Sequence, residues 1–157
     1  MLSAKPVTPF ELFCTKMLEY NASHSPHDIR QDIVTFERAL QALPGACFHD
    51  CLPLKHSFAD GCYVREIYIP KGTVYVGKIH RCNHPRFVLK GELVVITESG
   101  GIEHIVAPAY MITREGTKRL GVALEDSIIV TVHVTDKKDL KDIEAEIIAP
   151  DYEALLR

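Results

Sequence analysis

From about Cys62 onward the apolar residues alternate with polar ones, and β-branched and aromatic side chains are punctuated by turn signals, the pattern of short strands. The alternation predicts strands over 63–69, 73–80, 86–89, 92–97, 102–106, 118–123 and 127–134, with a further short one near 110–112. Pro70-Lys71-Gly72, Ser99-Gly100-Gly101 and Glu115-Gly116 supply turns between them. Before and after this stretch the period is helical. Ser25-Pro26 opens a stripe of Ile29, Ile33, Phe36, Leu40 and Leu43, stopped by Pro44-Gly45, which predicts a helix lying against the strands. Phe10, Phe13 and Met17 behind Pro9 predict a shorter helix over 10–20. Leu140, Ile143 and Ile147, with Thr135 and Asp136 as candidate caps, predict a short amphipathic helix, followed by Pro150 and a tail ending in Leu155-Leu156-Arg157.

Many short strands at regular spacing must close into a barrel or sandwich to cover their edges, and the helical alternation that builds a parallel sheet is absent. The expectation is an all-β chain with helical ends. At 157 residues it has the size of one domain, with a helical extension over 1–57, a barrel over 58–135 and a C-terminal helix and tail over 136–157. Hydrophobic residues at 46% and charged residues at 25% argue against extensive disorder or a fibre. A net charge of −3 without a basic run disfavours a nucleic-acid polymer as partner. The N-terminus, MLSAKPVTPF, lacks the apolar stretch of a signal peptide, and no segment has the roughly 20 continuous apolar residues that span a bilayer, so a soluble cytoplasmic protein is expected. The five cysteines (Cys14, Cys47, Cys51, Cys62 and Cys82) are odd in number and form no CxxC pair, which predicts free thiols in a reducing compartment. The spacing of Cys47 and Cys51 hints weakly at zinc, but no second close pair completes four ligands.

The segment from Gly77 to Gly91 carries the candidate chemistry. Two histidines four apart on one straight strand stand ~13 Å apart, too far to share a metal. Asn83 and Pro85 make a turn between His80 and His84 plausible, ending one strand at His80 and beginning the next at His84, so that both imidazoles converge. Zinc, iron, nickel or copper accepts such ligands, zinc at about 2.0–2.1 Å. His133 shares the less apolar face of its strand with Ser127, Ile129 and Thr131, so it is either a third ligand or a histidine hydrogen-bonded near the barrel mouth. Cys82, between the first two, is either a rim thiol or a replacement ligand. Glu66 and Tyr75 are candidates to reach the interior as acid, base or hydrogen-bond donor, with exposed placement as the alternative. His24, His27, His49, His56 and His104 have no constellation around them and are expected on the surface.

These residues resemble the cupin family, whose first motif sets a glycine, two histidines separated by one residue, a glutamate and a closing glycine on this pair of strands. Aligned on Gly91, His80 falls at the second histidine, His84 at the glutamate and Lys78 at the first histidine. The second motif resembles 112–119, with Gly116 at its glycine and Arg119 where the last histidine would be. The resemblance implies a double-stranded β-helix, or jelly-roll barrel, binding a divalent transition metal. More closely, 58–67, the Pro-Lys-Gly turn, 89–92 and 116–119 look like small cupin-domain proteins encoded by tailed bacteriophages, a likeness spanning 58–144 that implies an infected bacterial cytoplasm. The departure is Glu125-Asp126-Ser127-Ile128-Ile129, which has no tryptophan in its strand. Two cations in place of ligands favour an anionic small molecule held by Lys78, Arg86 and Arg119; the alternative is that the long cationic side chains point outward. The expected function is that of a metal-binding cupin-like protein, either a metalloenzyme acting on a small polar or anionic molecule or a non-catalytic phage protein that sequesters an anion such as a nucleotide signal. A structural part of the phage particle is the third reading. Exposed edge strands predict a homodimer.

Overall fold

Ser25 caps the first described helix, α1 (Pro26–Gln41): its hydroxyl accepts from the Asp28 N–H at 3.3 Å, and the Asp28 carboxylate accepts from the Ser25 N–H at 3.1 Å. The computed structural model describes residues 19, 22–44, 46–47, 51–99 and 101–156. Cys14 and, save for Glu19, the helix expected over 10–20 lie outside the described residues. Ile29 and Ile33 bury the inner stripe of α1 against Val76, Ile96, Ile102 and Leu120. Phe36 and Leu43, expected on the same stripe, are exposed. Two ion pairs tie the helix down: Arg30 with Glu98 at 3.3 Å, and Glu37 with the buried ammonium of Lys118 at 2.9 Å.

The strands follow as β1 (Leu54–Ala59), β2 (Cys62–Ile69), β3 (Val74–Val76), β4 (Ile79–His80), β5 (His84–Lys90), β6 (Glu92–Thr97), β7 (Gly101–Val106), β8 (Ala109–Thr113), β9 (Arg119–Ala123) and β10 (Ser127–Val134). The chain ends in α2 (Leu140–Ile147), β11 (Ile148–Ala149) and α3 (Tyr152–Leu155). A five-stranded sheet runs β1-β2-β10-β5-β8 and a four-stranded sheet β3-β9-β6-β7, all antiparallel. The pairs nest about one tip: β6 with β7, β5 with β8, β3 with β9, β2 with β10. A single long hairpin rolled up in this way is the jelly roll, so the all-β barrel expected from the alternation, and the jelly roll that the resemblance implies, are the observed fold.

Three features depart from the expected elements. The strand expected over 73–80 breaks at Gly77-Lys78: Gly77 still donates to the Arg119 carbonyl at 2.8 Å, but beyond it β4 leaves the sheet and pairs with β11, Ile148 opposite His80. Strand β1, ahead of the expected barrel start, pairs with β2 along its whole length; its sequence, LKHSFA, is mostly exposed and carries little alternation. Asp139 caps α2 in place of Thr135 or Asp136, accepting from the N–H groups of Lys141 and Asp142, while the Thr135 hydroxyl donates to Glu146 at 2.5 Å. Cys47 and Cys51 are joined in a disulfide, their Cα atoms 6.1 Å apart and so within bridging reach, which corrects the free-thiol expectation for this pair and removes them as zinc ligands. Cys62 and Cys82 are free.

One end of the barrel is filled by Ile69, Val88, Leu93, Val95, Ile105, Ala123 and Ile129. There Gly91, at φ +90°, closes β5 against β10: a Cβ on it would stand 2.2 Å from the Ser127 hydroxyl, so only glycine permits the approach. Followed toward the other end, the same inward rows turn polar. On β5 Val88 gives way to Arg86 and His84, and on β10 Ile129 gives way to Thr131 and His133. The result is a cup with an apolar floor and a polar mouth.

Candidate metal centre

His80, His84 and His133 meet at this mouth, each offering a ring nitrogen within 4.8 Å of the others. Ring centroids lie 4.2 Å apart for His80 and His84, 4.5 Å for His84 and His133, and 5.2 Å for His80 and His133. The turn between β4 and β5 folds the first two together as the spacing predicts. It is held from behind by the C-terminal segment. The Arg81 N–H donates to the Ile147 carbonyl at 2.8 Å, and its guanidinium donates to the carbonyls of Ile148 at 3.1 Å and Ala154 at 2.7 Å. His133 is backed by the buried ring of Tyr63, its cross-strand partner, at 6.1 Å between centroids; Ile143 and Ile147 of α2 pack behind Tyr63.

Each imidazole is poised to be neutral. Burial, followed by the proximity of His84 and His133, drives His80 down to about 2, and burial followed by His84 brings His133 to about 4. His84 is lowered too, by burial above all. Its Nδ1 faces the Cys82 carbonyl at 3.2 Å; a carbonyl only accepts, so Nδ1 carries the proton and the Nε2 lone pair is left free. His133 Nε2 faces the Thr131 hydroxyl at 3.2 Å. His80 Nδ1 is buried without a hydrogen-bond partner. A buried ring nitrogen that nothing satisfies, beside two further neutral imidazoles, fits a divalent transition metal better than it fits a packed core.

The other candidates divide. Arg86, Arg119 and Tyr75 join the cup: Arg86 is 5% exposed and donates to the Tyr75 hydroxyl at 3.3 Å, and the Tyr75 ring lies where a Cβ on Gly121 would come within 2.3 Å of it. Lys78 does not join them. Its ammonium is paired with Glu144 of α2, because the break after Gly77 removes the strand parity that would have aimed it inward. Glu66 does not join them either: Tyr63, Ile67 and Ile69 hold the inward row of β2, and Glu66 stands on the opposite face between Lys55 and Val130. Cys82 is exposed and contributes its carbonyl to the site. His56 is half-buried, its Nδ1 2.7 Å from the Tyr63 hydroxyl, which corrects its surface placement. His24, His27 and His104 are exposed, and His49 lies outside the described residues. Two residues of the mouth carried a signal that went unread: Arg65 shares the row of Tyr63 and Ile67, and Thr113 lies directly across from His84.

No family model and no curated protein matches the chain. Solved structures with a similar chain path include KdgF from Halomonas sp., 17% identical with a TM-score of 0.49 over 62% of this chain and 89% of that one. A cupin-2 domain protein from Shewanella frigidimarina is 10% identical with a TM-score of 0.45 over 64% and 92%. Ectoine synthase from P. lautus is 16% identical with a TM-score of 0.45 over 58% and 66%.

Proposed function

We propose that this chain is a metal-binding barrel in which His80, His84 and His133 hold one divalent transition ion (zinc, iron, nickel or copper) and leave coordination positions open to a small molecule. The convergence of three neutral imidazoles within 4.8 Å carries the reading. Such an ion supplies Lewis-acid polarisation of a bound oxygen or an activated water. The chain's own part is to keep the three lone pairs unprotonated, to dry the floor of the cup with Val88 and Ile129, and to present the Tyr75 hydroxyl beside Arg86. Elemental analysis of untagged, chelator-free protein tests this. About one metal per chain supports it; metal-free protein that takes up none of the four ions on add-back overturns it.

A second reading, capture of a small anion such as a nucleotide without turnover, is favoured by Arg65, Arg86 and Arg119 around the mouth. It predicts that a bound anion is recovered chemically unchanged from the loaded protein. The reading extends to a homodimer. Strand β8 is one of the two edges of the five-stranded sheet, β1 being the other, and on its outer side Tyr110 and Ile112 are 77% and 59% exposed beside Leu89 of β5. An antiparallel edge with an apolar face is self-complementary about a two-fold axis. Sedimentation is expected to show a dimer that Ile112→Glu with Tyr110→Lys converts to monomer; a monomeric wild type at tens of micromolar overturns it.

A further inference from the structure

Below the histidines, two arginines face each other across the cup. Arg86 follows His84 by two residues on the inward row of β5, and Arg119 opens β9 in the opposite sheet. Arg119 shares the inward row of β9 with Gly121, which abuts Tyr75, and Ala123 of the core, so its guanidinium and that of Arg86 are turned into the same cup. Among the described residues no carboxylate forms an ion pair with either. Glu98 pairs with Arg30, and both Glu98 and Glu103 favour the charged form of Arg119. Each also keeps an idle donor: Arg86 Nη1 and Arg119 Nε are buried without a hydrogen-bond partner. Burial and Arg86 pull Arg119 down to about 10, which leaves it protonated at neutral pH.

Two like charges buried together with unused N–H groups are unfavourable until an anion completes them. We infer that Arg86 and Arg119, with the Tyr75 hydroxyl, form the seat for the carboxylate of a small organic acid whose second oxygen faces the histidine centre. A planar guanidinium presents its N–H groups in a flat fork that matches the two oxygens of a carboxylate. Val88 and Ile129 form the apolar floor beneath the seat. Arg86 lies one inward position below His84 on β5, which turns the other end of the acid toward the histidine centre. This assignment rests on the metal-centre reading for the orientation of the acid, but not for the seat itself.

The test is binding of lactate, oxalate and succinate to metal-loaded and chelated protein, followed by thermal shift and calorimetry, with lactamide as the uncharged control and inorganic phosphate as the competing anion. Metal content is measured in every sample. At least one of the three acids is expected to raise the melting temperature, with lactamide inert. Arg86→Gln and Arg119→Gln, each first shown to be folded, are expected to bind that acid at least about tenfold more weakly while retaining wild-type metal content. No shift with any of the three acids, equal binding of lactate and lactamide, tighter binding of phosphate than of every acid, or full affinity in both variants overturns the seat. A protein that binds an acid through both arginines yet takes up no metal upholds the seat and defeats the metal reading alone. Should either variant fail to fold, the comparison of acid with amide in the wild type still decides.

Discussion

Replacing His84 with alanine is expected to weaken metal binding by at least about a hundredfold, while the barrel remains folded. Loss of a group that merely orients a ligand costs about 10–100-fold, and in the proposed centre His84 is itself a ligand. It lies between the other two, with centroids at 4.2 and 4.5 Å, so its removal leaves His80 and His133 without the imidazole that bridges their 5.2 Å separation. The nearest thiol, Cys82, is exposed, and its carbonyl is the atom turned toward His84. Cys82→Ser is therefore expected to keep full metal content, and Glu66→Gln likewise, since Glu66 stands on the outer face. Competition with a chelator of known affinity, with circular dichroism as the check on folding, separates these outcomes. A His84→Ala protein that holds its metal as the wild type does would remove His84 from the centre.

The metal-free protein should lose stability steeply as the pH falls from about 7 to about 5. In the unfolded chain these histidines titrate near 6.5. In the fold His133 is held at about 4 and His80 at about 2, with His84 also lowered. Between the folded and unfolded values the unfolded chain binds more protons, so stability rises with pH across this window and falls on acidification. The loss begins below about pH 6.5 and continues down to about 4 for His133 and about 2 for His80. Each histidine contributes on the order of 1.4 kcal/mol per pH unit within its window. Denaturant unfolding at pH 5 and pH 7 after chelation should show it, and His80→Gln should flatten the slope by about one proton. Saturating metal should raise stability at both pH values without flattening the slope, and should extend the slope below about pH 4, because the bound ion keeps the imidazoles neutral in the fold while the unfolded chain still takes up protons. A flat profile in the metal-free protein would mean that the three rings protonate freely, and so do not form a buried cluster.

What the sequence made legible follows from how strongly each segment alternates. Residues 92–97 and 127–134 match β6 and β10 end to end, because β6 is an apolar run buried on both faces and β10 is β-branched along most of its length. The folding of His80 onto His84 was legible as well, since a straight strand cannot bring them together. Lys78 was misplaced by a sound rule on a wrong premise: parity with His80 holds only along an unbroken strand, and the chain breaks at Gly77-Lys78. Glu66 sits on β2, where Val64 and Tyr68 on one face are as apolar as Ile67 and Ile69 on the other, so periodicity alone could not choose the inward row. The two-residue strand Ile148–Ala149 is too short to carry any period, and its pairing with β4 is a tertiary fact.

The anchoring of Arg81 to the carbonyls of Ile147, Ile148 and Ala154 bears on when the centre forms during biosynthesis. A ribosome delivers His80, His84 and His133 before it delivers residues 147–154. Synthesis thus completes every barrel strand before it completes the segment that tethers the turn carrying His80 and His84. In the proposed centre, capture of an ion would therefore follow docking of the C-terminal segment, and would come late in the maturation of the chain.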